Sequence, residues 1–217
     1  MSEDVRAGAA ATRKALAALR TAMSDGDLAP GQRLVEGELA ELYGISRASV
    51  RAALIDLAAE GLVERIPNRG ARVRVVSVAE AVAITECRMV LEGLCAAKAA
   101  EHASDPQIAV LTGLGEQMRD AVAGNDPMKY SALNRELHRL VREYSAQPVA
   151  SGLLDRLGGQ MVRHQFRLAL RAGRPQVSLP EHLAIIDGIA RRDPAAAEAA
   201  ARAHLSSVIT ALRASDA

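Results

Sequence analysis

The sequence predicts a mainly α protein in two parts, an N-terminal winged helix-turn-helix with a small β-hairpin wing and a C-terminal antiparallel six-helix bundle. Three observations carry this. Ala and Leu dominate while aromatic residues are 2% of the chain, with one Phe, three Tyr and no Trp, which favours helices with thin aliphatic packing. The apolar period changes from helical to alternating only between Leu62 and Val76. After Ser77 the chain shows six successive helix-start signals and no strand pattern.

Residues 1–11 are polar and Ala/Gly-rich and are expected to be disordered. The DNA-binding part is expected over 12–76. Leu16, Leu19 and Met23 have helical spacing, and Ser24-Asp25-Gly26-Asp27 stops that helix before the Pro30-Gly31 turn. Val35, Leu39 and Leu42 mark a second helix closed by Gly44. Ser46 caps a third, whose apolar positions are Val50, Ala53, Leu54 and Leu57, ending at Gly61. Leu62–Ile66 and Ala71–Val76 flank Pro67-Asn68-Arg69-Gly70, the pattern of a hairpin. Residues 77–217 are expected to form a separate, all-helical part. Its helices open at Ser77-Val78-Ala79-Glu80, Asp105-Pro106, Asp126-Pro127, Gln147-Pro148, Ser178-Leu179-Pro180-Glu181 and Asp193-Pro194.

Charge excludes some functions. The formal net charge is +1, so no global basic field attracts nucleic acid. From Ser46 to Arg74, however, six Arg stand against three acids. The scarcity of aromatic side chains argues against base stacking as a binding mode. Cys87 and Cys95 lie eight residues apart on one expected helix, a rise of about 12 Å, too far to bridge each other, and are expected as buried thiols. No apolar run approaches membrane-span length and no signal segment opens the chain, so the expected location is the cytoplasm.

In a helix-turn-helix the N-terminal residues of the second helix meet bases and phosphates. Here these are Ser46, Arg47, Ser49 and Arg51, with Ala48 small enough for close approach. Arg69 and Gly70 at the hairpin tip are placed to reach a minor groove or phosphate. The competing reading of each Arg is a solvated surface charge.

The run Gly26-Asp27-Leu28-Ala29-Pro30-Gly31-Gln32-Arg33-Leu34, with Glu38-Leu39-Ala40, Gly44-Ile45-Ser46-Arg47, Val50-Arg51-Ala52-Ala53-Leu54, Glu60-Gly61-Leu62-Val63 and Arg69-Gly70, resembles the GntR family of bacterial regulators. That resemblance implies a winged helix-turn-helix reading a palindromic operator as a homodimer. Many relatives carry Arg where this chain has Gly37, which implies a different base preference here.

His102, His138, His164, His182 and His204 are the five histidines. Asn134 and His138 are four apart and share a helix face, while His182 and His204 fall on two further helices, so three helices can converge on one ion. The alternative is ordinary surface or hydrogen-bonded histidines. Arg88-Met89-Val90-Leu91-Glu92, Asn134-Arg135-Glu136-Leu137-His138, the run from Glu181 to Asp193 and Ala203-His204-Leu205 resemble the FCD effector domain of the FadR-type branch. This resemblance implies a divalent metal (zinc, nickel or manganese type) on Asn134, His138, His182 and His204, holding a small carboxylate effector. Asn134 occupies the usual Asp position; its neutral amide weakens the site and leaves a metal-free pocket open. Arg88 resembles the family arginine at the effector pocket, or else pairs with Glu92 at i+4. Arg163 and Arg167 are further effector candidates.

The expected function is a ligand-responsive transcription regulator, with repression as the default. One rival is an all-helical metal-dependent hydrolase with Glu136 or Glu181 as general base; it leaves the winged part unexplained. The other is a structural DNA-binding protein, which has no use for a 140-residue bundle.

Overall fold

The computed structural model describes residues 3–66, 70–161, 164, 167–168 and 171–214, with side chains from residue 8 onward except at 24 and 25. The chain divides into two compact units, Met1–Val76 with Gly158–Arg163, and Ser77–Leu157 with His164–Ala217.

The first unit contains α1 (Glu3–Asp25), β1 (Arg33–Leu34), α2 (Glu36–Tyr43), α3 (Arg47–Ala59), β2 (Val63–Ile66) and β3 (Gly70–Val73). The helix α1 begins at Glu3, so the expected disorder over 1–11 is corrected from there onward. Four alanines within Ala7–Ala11 give that stretch the strongest helix-forming composition available, interrupted only by Gly8. Ala15, Leu19 and Ala22 bury one face of α1 against Val50, Ala53, Leu54 and Leu57 of α3, in a core that also takes Leu28, Leu34, Leu39, Val63, Ala71 and Val73. Each such Leu or Val contributes roughly 1.5–3 kcal/mol by leaving water.

A third strand, β1, was not legible in the sequence because two residues carry no period. The sheet order is β1-β3-β2, all antiparallel, with Leu34 opposite Ala71 and Glu64 opposite Arg72. Gly70 begins β3 at φ +86°, and a Cβ there would lie 2.8 Å from the Leu34 carbonyl oxygen. Gly70 is thus demanded by backbone geometry, whatever it contributes at a DNA surface. Gly70→Ala is expected to destabilise the first unit by about 1–3 kcal/mol, the range for a strained backbone position. A urea titration of the full chain reads this as a lower midpoint, and an unchanged midpoint refutes it.

The second unit contains α4 (Val78–His102), α5 (Asp105–Ala123), α6 (Pro127–Tyr144), α7 (Pro148–Gln160, to Leu157), α8 (Arg174–Ala190) and α9 (Pro194–Arg213) among the described residues. Ser77, Asp126 and Asp193 cap α4, α6 and α9 by accepting backbone N–H bonds. The core is mostly Ala and Leu, with Met118, Ile185, Ile186 and Ile189 filling it out. Small residues let helices close on one another: a Cβ on Gly188 would come 2.7 Å from the Ala197 amide nitrogen, so α8 and α9 meet at backbone contact.

Two expectations are corrected in this unit. Cys87 is exposed; only Cys95 is buried. The helix α8 starts at Arg174, with Pro175 in its first turn and Pro180 inside it, rather than at a Ser178 capping box. The amide that Pro180 lacks would pair with the carbonyl of Gln176, an exposed residue, so the missing bond falls on the solvent side of the helix. Ser178 is released from capping and its hydroxyl oxygen lies 3.0 Å from the Arg174 carbonyl oxygen.

Candidate functional site

Residues four apart on α6 place Tyr130, Asn134 and His138 on one face, and α8 and α9 bring His182 and His204 to it. The imidazole centroids lie 4.3 Å apart for His182–His204, 5.4 Å for His138–His204 and 5.5 Å for His138–His182. One nitrogen from each ring falls within a set spanning no more than 4.8 Å. Asn134 Oδ1 is buried with no hydrogen-bond partner.

The outer nitrogens are each held by an oxygen. His204 Nδ1 is 2.8 Å from Glu181 Oε2, and His138 Nδ1 is 2.8 Å from Glu92 Oε2. Burial alone would raise the carboxyl of Glu92, but the charges of Arg88 and His138 hold it well below the usual range. Glu181 is likewise lowered, because hydrogen bonds to His204 and Ser207 and the nearby Arg174 overcome its burial. Both are therefore carboxylates that only accept, so His204 Nδ1 donates to Glu181 and the Nε2 of that neutral ring is a bare lone pair.

His182 is held by a hydroxyl chain. Tyr130 Oη is 2.8 Å from His182 Nδ1 and 2.8 Å from Ser178 Oγ, which is 3.0 Å from the Arg174 carbonyl. Burial pushes the Tyr130 hydroxyl up to about 12, so it keeps its single proton. Two proton arrangements satisfy this chain. In one, His182 donates from Nε2 toward His204 Nε2, 3.3 Å away, and the two hydroxyls point toward His182 Nδ1. In the other, Nδ1 donates to Tyr130, Tyr130 to Ser178 and Ser178 to the carbonyl, which bares the His182 Nε2. Burial, then the neighbouring His204, His138 and Arg174, push His182 well below its ordinary range; burial also lowers His204 against the pull of Glu181. Neutral imidazoles with paired outer nitrogens are the donor form a metal takes.

The donor set fits a divalent cation. With bonds of about 2.0–2.1 Å, two nitrogens on a tetrahedral ion sit about 3.4 Å apart, close to the 3.3 Å between His182 and His204. The orphaned Asn134 oxygen supplies a fourth donor in the same helix-face row as His138.

The structure gathers His138, His182 and His204, with Asn134 one turn before His138 on α6, and adds Tyr130 and Arg174, which the sequence reading missed. Arg88 forms the i+4 ion pair with Glu92, Nη2 to Oε1 2.6 Å, and reaches the cluster through it. Arg174 donates to Ser207 and lies 3.3 Å from Glu181. Tyr130 could have been found by its spacing from Asn134; Glu181, named in the sequence as a general base for the hydrolase reading, instead accepts from His204 Nδ1. Glu136 pairs at the surface with Arg139, so it is no general base for the cluster. Arg167 lines a different cavity, and Arg163 lies outside the described residues.

On the first unit, Ser46 caps α3 by accepting from the Ser49 amide at 3.1 Å, and the two hydroxyls are 2.9 Å apart. Ser49 is buried, so its expected place on an exposed DNA-reading turn is corrected: the cap draws its hydroxyl inward. Arg47 and Arg51 are exposed. Arg51 grips Glu36, with Nε 2.9 Å and Nη2 2.7 Å from Oε2. The hydrogen bond from Arg51 outweighs slight burial, and together with the charges of Arg65 and Arg47 it lowers the Glu36 carboxyl. Glu36 is thus the ion-pair partner of Arg51 and stands in the field of two more guanidinium groups, a role the sequence reading missed along with Arg65. The Arg47 guanidinium lies over Gly37, 3.4 Å from where a Cβ would stand, in the space a side chain at 37 would need. Arg69 lies outside the described residues.

Known proteins agree with this division. Residues 11–73 match the model of bacterial regulatory proteins, gntR family, and residues 83–207 that of the FCD domain. The chain is 27% identical to the HTH-type transcriptional repressor RspR of Escherichia coli (strain K12) over 86% of this chain and 82% of that one. It is 28% identical to the repressor NanR of Salmonella arizonae over 87% of this chain and 77% of NanR. Its fold is similar to that of E. coli McbR/YncC, with TM-score 0.80 at 22% identity over 95% of this chain and 99% of that one. These relatives are transcription regulators, which leaves the hydrolase reading unsupported. The chain belongs to the GntR family of bacterial regulatory proteins, as a transcription regulator whose C-terminal part is an FCD domain.

Proposed function

We propose that this regulator is a cytoplasmic repressor that binds a palindromic operator as a homodimer, through residues 12–76, and releases it when a small carboxylate binds within residues 77–217. The observation that carries the sensing half is the set of inward-facing imidazole nitrogens beside the orphaned Asn134 oxygen. Asn134, His138, His182 and His204 hold a divalent cation of the zinc, nickel or manganese type. That cation supplies a Lewis-acidic anchor for the effector carboxylate. Glu92 and Glu181 fix the rings of His138 and His204, and Arg88 and Arg174 hold those two carboxylates in place. His182 would ligate in the tautomer whose Nδ1–H is accepted by Tyr130, with Tyr130 donating to Ser178 and Ser178 to the Arg174 carbonyl; reaching it from the Nε2-protonated form releases one proton to solvent and takes one up.

At the operator, Arg47 reads bases or phosphates from the first turn of α3, with Ser46, Arg51, Arg65 and Arg69 as neighbouring contacts. Half-sites about 34 Å apart, or a multiple, match the two recognition helices of a dimer, so a shift of a few Å is enough to release DNA. The test is an anisotropy titration at fixed salt against DNA upstream of the protein's own gene, with Zn²⁺ and a panel of small carboxylates. Tight binding abolished by one acid, only when metal is present, is the expected result. Operator binding indifferent to every acid sinks the sensing half.

A further inference from the structure

We propose that the helical unit has a second small-molecule site, an anion-binding cavity lined by His164, Arg167 and Arg171, separate from the histidine cluster. The cavity has a volume of about 290 Å³, with Leu168 and Ala214 completing its lining. His164, Arg167, Leu168 and Arg171 reach this space from within eight residues of the chain. Ala214 follows α9, ten residues beyond His204, about 15 Å along a helix axis. The site therefore does not share the cluster's nitrogens.

Charge identifies the ligand. Nine arginines of this unit, among the described residues, sit on carboxylates: Arg88 on Glu92, Arg174 on Glu181 and Arg192 on Asp105 are examples, and Arg119, Arg139, Arg142, Arg191, Arg202 and Arg213 have theirs. The two that line the cavity do not. Among the described residues Arg171 donates to the Ala211 carbonyl alone, at 3.0 Å, which pins its guanidinium at the cavity wall. Arg167 makes no ion pair or hydrogen bond, and no acid lines the space, among the described residues. Two guanidinium forks at a concave space suit a small molecule bearing a phosphate or a pair of carboxylates. A volume near 300 Å³ is at the small end of metabolite pockets.

The test is isothermal titration of the full chain with inorganic phosphate and, separately, succinate, at constant ionic strength and with excess chelator. Saturable binding of at least one anion is expected, weakened at least about tenfold in Arg167→Gln and in Arg171→Gln. Arg135→Gln, an exposed arginine elsewhere in the unit, serves as the control and is expected to bind normally. Arg167 is exposed, so its variant leaves the fold intact. Absence of saturable binding by either anion, or equal binding by the two cavity variants, overturns the proposal. Binding that vanishes with chelator overturns it too and assigns the anion to the histidine cluster; failure to bind metal, with anion binding intact, fails the effector reading alone.

Discussion

His204→Ala weakens Zn²⁺ binding by more than about 100-fold, and Tyr130→Phe by about 10- to 100-fold, the latter being what loss of an outer partner of a metal-bound histidine costs. The first removes a donor outright. The second leaves all four donors in place and removes only the acceptor for the His182 Nδ1 proton, 2.8 Å away. With Phe at 130, baring Nε2 means burying an unpaired N–H, so His182 stays in the Nε2-protonated form that cannot ligate. Two readouts separate this from general damage. Nitrogen-15 chemical shifts of the imidazoles report the tautomer of His182 with and without metal: the wild type is expected to shift its proton to Nδ1 on loading, and the Phe variant is not. Ser178→Ala keeps the Tyr130 hydroxyl as an acceptor and is expected to lose less than Tyr130→Phe. Equal affinities across wild type and Tyr130→Phe would refute the relay, while an unaltered His204→Ala would refute the cation site itself. Loading also stabilises the fold in proportion to the logarithm of free metal over Kd, so chelator is expected to lower the melting temperature of the wild type and leave His204→Ala unmoved.

The parts of this molecule that repeat were legible in its sequence. The helix starts at Ser77, Asp126 and Asp193 act through residues adjacent in the chain, so the capping geometry follows from local order alone. The Asn134–His138 row also follows from local spacing. What joins that row to His182 and His204 does not, because Tyr130, Ser178, Glu181 and Arg174 meet only after α6, α8 and α9 pack. The strand β1 is two residues long, and its evidence lies in its partner, β3. Pro180 misled the reading of α8 because proline usually marks a helix start, whereas here an exposed neighbour lets the helix continue through it. At α3 the sequence placed Ser49 on the DNA face by type; the structure buries it because the Ser46 cap pulls its amide and hydroxyl inward. The same limit hid Glu36, fifteen residues from the Arg51 it neutralises.

That neutralisation sets the second large effect. Arg47→Ala is expected to lower operator affinity by about 1–3 kcal/mol, or roughly 5- to 150-fold, if its guanidinium pairs with a guanine. Arg47 is the exposed recognition-helix arginine with no carboxylate partner among the described residues, and it lies over Gly37 where a side chain would otherwise stand. Its loss is therefore not offset by a neighbour moving in. Arg51 starts from a different position, since its two forks are already on Glu36 and DNA must compete for them. Glu36→Gln frees that charge and removes a repelling one, so affinity for unrelated DNA rises severalfold and the slope of log K against log salt steepens by about one unit. Discrimination between operator and unrelated DNA falls, because the gain is phosphate attraction that reads no sequence. Salt titrations of wild type, Arg47→Ala and Glu36→Gln on operator and scrambled duplexes measure both terms. If Arg47→Ala lowers affinity equally on both duplexes, Arg47 holds phosphate and the base-reading role passes elsewhere on α3. If Glu36→Gln leaves the salt slope unchanged, the Arg51 charge does not reach the backbone, and Glu36 is a structural clasp between α2 and α3.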